Sequence, residues 1–560
     1  MQRQLWSAAV LLGLCTSVFA QAPQTAKTPT FTSRSEIVLV PVAVRAKSGQ
    51  VASGLKKEDF RLAVDGKPIS IASFEEVKSG AAPALLPITR GVYTNRIANE
   101  DRPQRLTVLL LDFLNTPFLN QEEERQEVGK FLQHQLKPDE PVALLALTRR
   151  GLRLLQSFTT DSGDLSVALR RTRMSRSEMN GLHWVGPMPE DDMSGQFILR
   201  DRIRLTLEEL EQLGNALAGV PGRKVVVWTT GGFPYLPYDR HAAANLNTDF
   251  VGDYERVWHS LNQANVSLYP IDAKGLVNKL FEGREGRYSA ANGRAALGPR
   301  GLTPPRYDRF QQEQDTLEKF ADETGGVACI NRNQYASCID DAQREAVDYY
   351  LLSFGVTPEM RNRDWHKIRV KVDGKYEVRA RQGFTVEKPK DPDAKDEMKL
   401  VGRALRSPLE YTGLKMSFQW LDVKPITAGN ASAPAPEKSP AAKYPPVAVA
   451  KFRLQLAPRS VDIDTTNQNR LQLTLMAVAV DERGEYVCEL AKGVDANLND
   501  AEVRDFDSAG TELDNEVALP AGRLRVRFAV RDRMTGRIGT IEAPIDIPTQ
   551  QANGTAVGNR

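Results

Sequence analysis

The sequence predicts an α/β protein: a central domain with a mostly parallel sheet, flanking antiparallel β-modules and a carboxyl-terminal β-sandwich. Three observations carry that prediction. The runs RLTVLLLD (105–112), VVVWTT (225–230) and VSLYPID (266–272) are continuously apolar, as strands buried on both faces must be. Helical patterns separate them, so the strands need crossovers and lie parallel. Period-two alternation governs residues 31–80 and 446–548.

The elements follow in order. Residues 1–20 (MQRQLWSAAVLLGLCTSVFA) hold one Arg, a short apolar run and small residues at Val18 and Ala20, the pattern of a signal peptide with a mature chain starting near Gln21. The apolar core is shorter than the roughly 20 residues that cross a bilayer. Leu14 before Cys15 argues against lipid attachment. Residues 31–80 read as a small β-module: IVLVPVAVRAKSGQ breaks at Ser48-Gly49, and VDGKPISIASFEEV turns at Asp65-Gly66. Residues 100–347 form the central domain. In it Val128, Phe131, Leu132 and Leu136 share a helical face, as do Leu207, Leu210, Leu213 and Leu217. VALLALT and LRLLQSF form a hairpin over Arg149-Arg150-Gly151, and further helices are expected near 253–264, 312–323 and 336–347. The resulting sheet order is 3-2-1-4-5-6, with VACI as the sixth strand. Residues 348–386 (DYYLLSF, HKIRVKV, YEVRARQ) read as three antiparallel strands. Residues 387–445, with a charge run and an Ala/Pro stretch, read mostly as linker around an unplaced segment, 398–424. Residues 446–548 make the sandwich.

Composition excludes several classes. The chain has 560 residues, enough for about three or four domains. Seventy-four basic against seventy-one acidic side chains leave +3, no global electrostatic reason to bind nucleic acid. After the leader, no stretch reaches 18 apolar residues, so no transmembrane segment is expected in the mature chain. Four cysteines exclude a disulfide-dense mini-protein. Cys329 and Cys338, nine residues apart in an exported chain, are expected to pair; two buried thiols are the alternative. Cys488 reads as a buried single thiol.

The order strand, helix, hairpin, helix, strand, helix, strand, helix, strand is similar to a von Willebrand factor type A domain, a Rossmann-like fold, and LTVLLLDFLNT resembles its first strand and metal loop. Together with VLVPVAVRAKSGQVASGLKKEDFRLAVDGKPI, GRKVVVWTTGGFP, SLYPIDAKGL and WHKIRVKV, the chain resembles the "VWFA-related" exported proteins of Acidobacteria over about residues 31–385. The resemblance implies a fold and a compartment and no reaction. A working type A site takes Asp-x-Ser-x-Ser, a loop Thr and a later Asp, all hard oxygen ligands for Mg²⁺. Here Asp112 and Thr116 fill the outer positions, but Leu114 replaces the middle Ser and Gly231 the later Asp. The site is degenerate, so no cofactor is expected and Mg²⁺ binds weakly if at all; Asn115 and Thr229 are the residues that would compensate. Asp112 otherwise caps nearby backbone amides.

The same residues admit an enzyme reading. Asp112 after a buried strand resembles the nucleophile of haloacid-dehalogenase-type hydrolases, but Leu114 stands where their acid/base belongs. No GxSxG, HExxH or Walker loop occurs, and His134, His183, His241, His259 and His366 share no ligand spacing. Asp272 reads as a loop cap, and the Arg-rich stretch 281–310 as a solvated loop. The expectation is therefore a non-enzymatic exported protein that binds a protein or envelope macromolecule. The switch point between the first and fourth strands is the expected crevice, rimmed by Phe118, Thr230, Phe233 and Tyr235. A structural envelope component is the remaining alternative.

Overall fold

The computed structural model describes residues 37–78, 90–96, 106–136, 140–172, 193–233, 250–275, 306–362, 365–386, 394–426, 443–465 and 467–548. The proposed leader and Tyr235 lie outside these residues, as does the Arg-rich stretch up to residue 305. The amino-terminal alternation forms β1 (Ile37–Ala46), β2 (Phe60–Val64), β3 (Lys67–Ile69) and β4 (Ser73–Val77). A short strand, β5 (Val92–Thr94), leaves this region.

The central domain follows as β6 (Leu106–Asp112), α1 (Phe118–His134), β7 (Val142–Thr148), β8 (Gly151–Thr159) and α2 (Ser162–Arg171). It continues with α3 (Met193–Leu217), β9 (Lys224–Thr230), α4 (Val251–Gln263), β10 (Val266–Asp272), α5 (Arg306–Thr324) and α6 (Tyr335–Val347). The sheet runs β10-β9-β6-β7-β8, parallel except for the hairpin strand β8. Every residue of β6, β7, β9 and β10 is buried, because helices cover both faces. Leu109, Leu111, Phe131, Leu165 and Ile339 fill one side, between the sheet and α1, α2 and α6. Val108, Leu110, Leu207, Leu213, Leu261 and Phe320 fill the other, under α3, α4 and α5. The expected sixth strand makes a single parallel bridge, Ile271 with Cys329.

The flanking regions correct the sequence-based partition. The chain continues through β11 (Tyr349–Gly355), β12 (Trp365–Val372), β13 (Tyr376–Ala380) and β14 (Gly383–Thr385). These do not form a meander of their own. They interleave with the amino-terminal strands in two sheets, β13-β1-β11-β4 and β14-β12-β2-β3. Segments 31–80 and 348–386 are thus halves of one module with a shared core of Val40, Val42, Leu62, Leu352, Phe354 and Phe384. The α/β domain is inserted between them.

The expected linker also contains structure: α7 (Ala394–Arg406) and β15 (Met416–Pro425). Then come β16 (Ala448–Leu456), β17 (Arg470–Val480), β18 (Tyr486–Asn497), α8 (Asp500–Ala509), β19 (Thr511–Leu519), β20 (Gly522–Asp532) and β21 (Ile538–Ile547). They pack as β19-β16-β15-β5 against β18-β17-β20-β21, with Phe418, Phe452 and Phe528 stacked at the centre. The sandwich therefore starts before residue 446 and takes one strand, β5, from the far end of the chain. Val401 and Leu405 fasten α7 to Met476 and Ala529 on its outer face.

Candidate functional site

Strands β6, β9 and β10 end side by side, and Asp112, Thr230 and Asp272 are their last residues. The β6 strand stops where the carboxylate of Asp112 turns the chain. Its Oδ1 accepts the backbone N–H groups of Leu114 at 3.1 Å and Asn115 at 2.9 Å. Its Oδ2 accepts from Asn115 Nδ2 at 2.8 Å, Trp228 Nε1 at 3.0 Å and the Thr230 hydroxyl at 2.7 Å. A carboxylate offers about four lone-pair sites, and five donors meet them here. Burial pushes the Asp112 carboxyl above the usual carboxylate range, while the bonds from Asn115, Thr230 and Trp228 pull it down. The donor set is all N–H and O–H, which fits the ionised form.

The other residues of the degenerate metal loop are equally engaged. Thr116 Oγ accepts the Gly231 N–H at 3.0 Å. Asn115 Nδ2 also donates to Thr206 of α3 at 2.8 Å, and its Oδ1 accepts from Arg202 Nε at 3.3 Å. Leu114 points into the apolar core. Gly231 has a steric reason to lack a side chain: a Cβ there would lie 2.5 Å from the Asn115 carbonyl oxygen. The two turns close on each other where a metal-binding Asp would need room. The Thr229 hydroxyl donates to Leu110 O at 3.2 Å and also bonds Glu124 Oε1 of α1. Asp112, Thr116 and Asn115 all accept hydrogen bonds within the fold, and Leu114 and Gly231 supply no ligand, so the described residues do not fit Mg²⁺.

Among the described residues of the expected rim, only Phe118 is at the surface, 53% exposed at the start of α1. Thr230 and Phe233 are completely buried. Phe233 packs against Trp228 and Phe320 with ring centroids 6.1 and 6.2 Å away, so it belongs to the core beneath α5. Asp272 caps its own turn, accepting from Lys274 N at 3.0 Å and Gln314 Nε2 at 3.1 Å. The sulfur atoms of Cys329 and Cys338 lie at disulfide-bonding distance, their Cα atoms 6.2 Å apart, tying the segment that bridges to Ile271 of β10 to α6. Cys488 is a partly buried free thiol, pushed up to about 11 by burial.

Two features escaped the sequence reading. Glu124 sits in the charged run NQEEERQE yet is fully buried, and its Oε2 has no hydrogen-bond partner. Burial, with Asp112 nearby, pushes its carboxyl up to about 8. The signal was there: Glu124 is four residues before Val128 and seven before Phe131, on the apolar face of α1. The second is the set of exposed apolar residues in the first two turns of two further helices, Phe197 and Ile198 in α3 and Val251 in α4, beside the expected Phe118 in α1. Helix α1 leaves the carboxyl end of β6, and α3 and α4 run back to the amino ends of β9 and β10. All three helices therefore begin at the same edge of the sheet.

No family model matches the chain, and no curated protein matches it. Among solved structures, the crystal structure of the TFIIH p34 N-terminal domain is 11% identical with a TM-score of 0.19, covering 30% of this chain and 81% of that one. The SpRpn10 VWA domain is 12% identical with a TM-score of 0.15, covering 30% of this chain and 87% of that one.

Proposed function

We propose that this chain is an exported, non-enzymatic binding protein whose central domain is von Willebrand factor A-like and grips a macromolecular partner without a metal ion. The carrying observation is that exposed apolar residues mark the helix starts at the carboxyl edge of the sheet, Phe118 on one face and Phe197, Ile198 and Val251 on the other, at the edge where open α/β sheets bind ligands. Aromatic anchors of this kind dominate protein interfaces. The saturated Asp112 supports the rest: a nucleophile enclosed by five donors and fully buried meets no substrate. The leader-like residues 1–20 and the cysteine pair support export. Among the described residues, no helix is long and apolar enough to cross a membrane.

Capture of a partner from envelope extract by the full chain, compared with a Phe118→Ser/Phe197→Ser variant, tests the interface. The variant should lose at least about tenfold in capture while its stability shifts by no more than about 0.5 kcal/mol, as for surface changes. Undiminished capture moves the interface elsewhere. Amino-terminal sequencing of exported protein should begin near Gln21, and an intact Met1 there would overturn export.

A further inference from the structure

The α/β domain and the sandwich meet through a tight joint and enclose a cavity beside it. At the joint, Gly219 N–H donates to Thr412 Oγ at 3.0 Å, and the Thr412 hydroxyl donates to Ala216 O at 2.7 Å. Gly219 must be glycine, since a Cβ would lie 1.6 Å from the Thr412 carbonyl oxygen. The cavity next to it has a volume of about 860 Å³, within the range of small-molecule sites. Leu154 and Phe158 of β8, Leu217 of α3 and Leu409 make apolar wall, while Arg527 of β20 and Glu410 supply charge.

Arg527 is incompletely used. It is 9% exposed, its Nη1 donates to Ser407 O, and its Nη2 donates to Leu409 O at 2.6 Å. The buried Nε–H has no acceptor. A guanidinium carries five N–H donors, and the unmatched Nε–H lies in a site where unpaired polarity is costly. Glu410 accepts one bond, from the Glu542 N–H at 3.2 Å. An apolar chamber with one under-satisfied cation has the chemistry of a site for an amphiphilic anion.

We propose that this interdomain cavity binds a small amphiphile, its apolar body held between β8 and Leu409 and its anionic head group paired with Arg527. A medium-chain monocarboxylate has the required shape and charge. Arg527 already faces two acids, Glu410 and Glu542 of β21, with Arg96 beyond β5 as a second cation on the wall. Burial pushes Glu410 up to about 7, against the pull of the Glu542 amide and of Arg527, while the Glu542 carboxylate pushes the same way. Below pH 7 Glu410 takes a proton and ceases to compete for Arg527. Anion affinity should therefore rise as pH falls from about 8 to about 6.

Calorimetric titration of the full chain with decanoate, and with 1-decanol as the uncharged control, tests this. Decanoate should bind about tenfold or more tighter than decanol, the size of a charge-assisted bond. Ser157→Trp, an exposed position at the cavity wall, should abolish binding of both while leaving the melting temperature unchanged. Glu410→Gln should keep decanoate binding and remove its pH dependence. No binding up to about millimolar concentrations, which corresponds to roughly 4 kcal/mol, would overturn the proposal. So would binding that ignores Ser157→Trp in a folded variant, or equal affinity for decanol.

Discussion

The turn after β6 and the wall of the interdomain cavity both bury charge, and they treat it in opposite ways. At the turn, Asp112 is surrounded by five donors drawn from its own loop and β9. At the wall, Arg527 makes two bonds to backbone carbonyls and leaves its Nε–H unmatched. A buried charge with every site filled fixes the backbone around it and has nothing left for a ligand. A buried charge with spare capacity beside open volume is unfinished until something enters. By that criterion the residues that look like a metal site are architecture, and the polar groups at the domain joint are the chemistry.

The largest effect should come from cutting the finished network. Asp112→Ala would strand Trp228 Nε1 and the Thr230 hydroxyl in a buried site and take one acceptor from Asn115 Nδ2. Each unsatisfied buried donor costs about 1–3 kcal/mol, so urea denaturation should show a loss of about 3 kcal/mol or more. Asp112→Asn should also destabilise, because its amide would place a donor against donors. A variant as stable as the parent would show that the network is dispensable, and the contrast with the cavity would collapse.

The next effect is smaller and confined to one side of the contrast. Cys329 and Cys338 join the segment beside β10 to α6, and neither lines the cavity. Opening a loop of this length should cost about 2–3 kcal/mol through the unfolded chain. Equilibrium unfolding with and without reductant should show that loss, while decanoate titration of the reduced, folded protein should be unchanged. Loss of cavity binding on reduction would mean that the two regions are mechanically one.

The two regions also differ in how far the sequence reveals them. Strands β6, β7, β9 and β10 are legible because both faces are covered and the apolar runs are unbroken. Strand β5 has three residues and pairs with a strand more than 300 positions away, beyond the reach of local pattern. For the same reason 398–424 has no assignment in the sequence: the helical stripe of α7 is present, but its partners on β17 and β20 come later. The pairing of β1 with β11 and β13 is hidden because the whole α/β domain intervenes. At the site, Asp112, Thr116 and Leu114 are legible as a broken metal loop. Phe233 is not legible as core, since a Phe among glycines and prolines reads as loop until α5 supplies Phe320 to cover it. Arg527 looks like the outward residue of an alternating strand, and only the arrival of the 407–410 segment buries it.

Glu124 stands between the two cases and gives the gentlest test of the criterion. It is buried like Asp112 but makes one side-chain bond, with the Thr229 hydroxyl, and its Oε2 is unmatched. Unlike Arg527, it is not among the cavity-lining residues, so its spare capacity should appear in stability rather than in binding. Burial and the Asp112 carboxylate oppose its charge, while the bond with Thr229, the Asp112 backbone and Arg125 on its own helix favour it, and Tyr335 of α6 lies close by. Its carboxyl is raised from 4.5 to about 8, so the folded state keeps a proton that the unfolded chain has released. That contribution is whole below about pH 4.5 and is lost progressively as pH rises to about 8. In that window one such group lowers stability by about 1.4 kcal/mol per pH unit. Glu124→Gln, which keeps the shape and cannot ionise, should remove a slope of about that size between pH 6 and pH 8. Urea midpoints of parent and variant measured across that range decide it. Parallel curves would show that Glu124 is solvated or paired in solution, and an unmatched buried oxygen would then no longer mark unfinished chemistry in this fold.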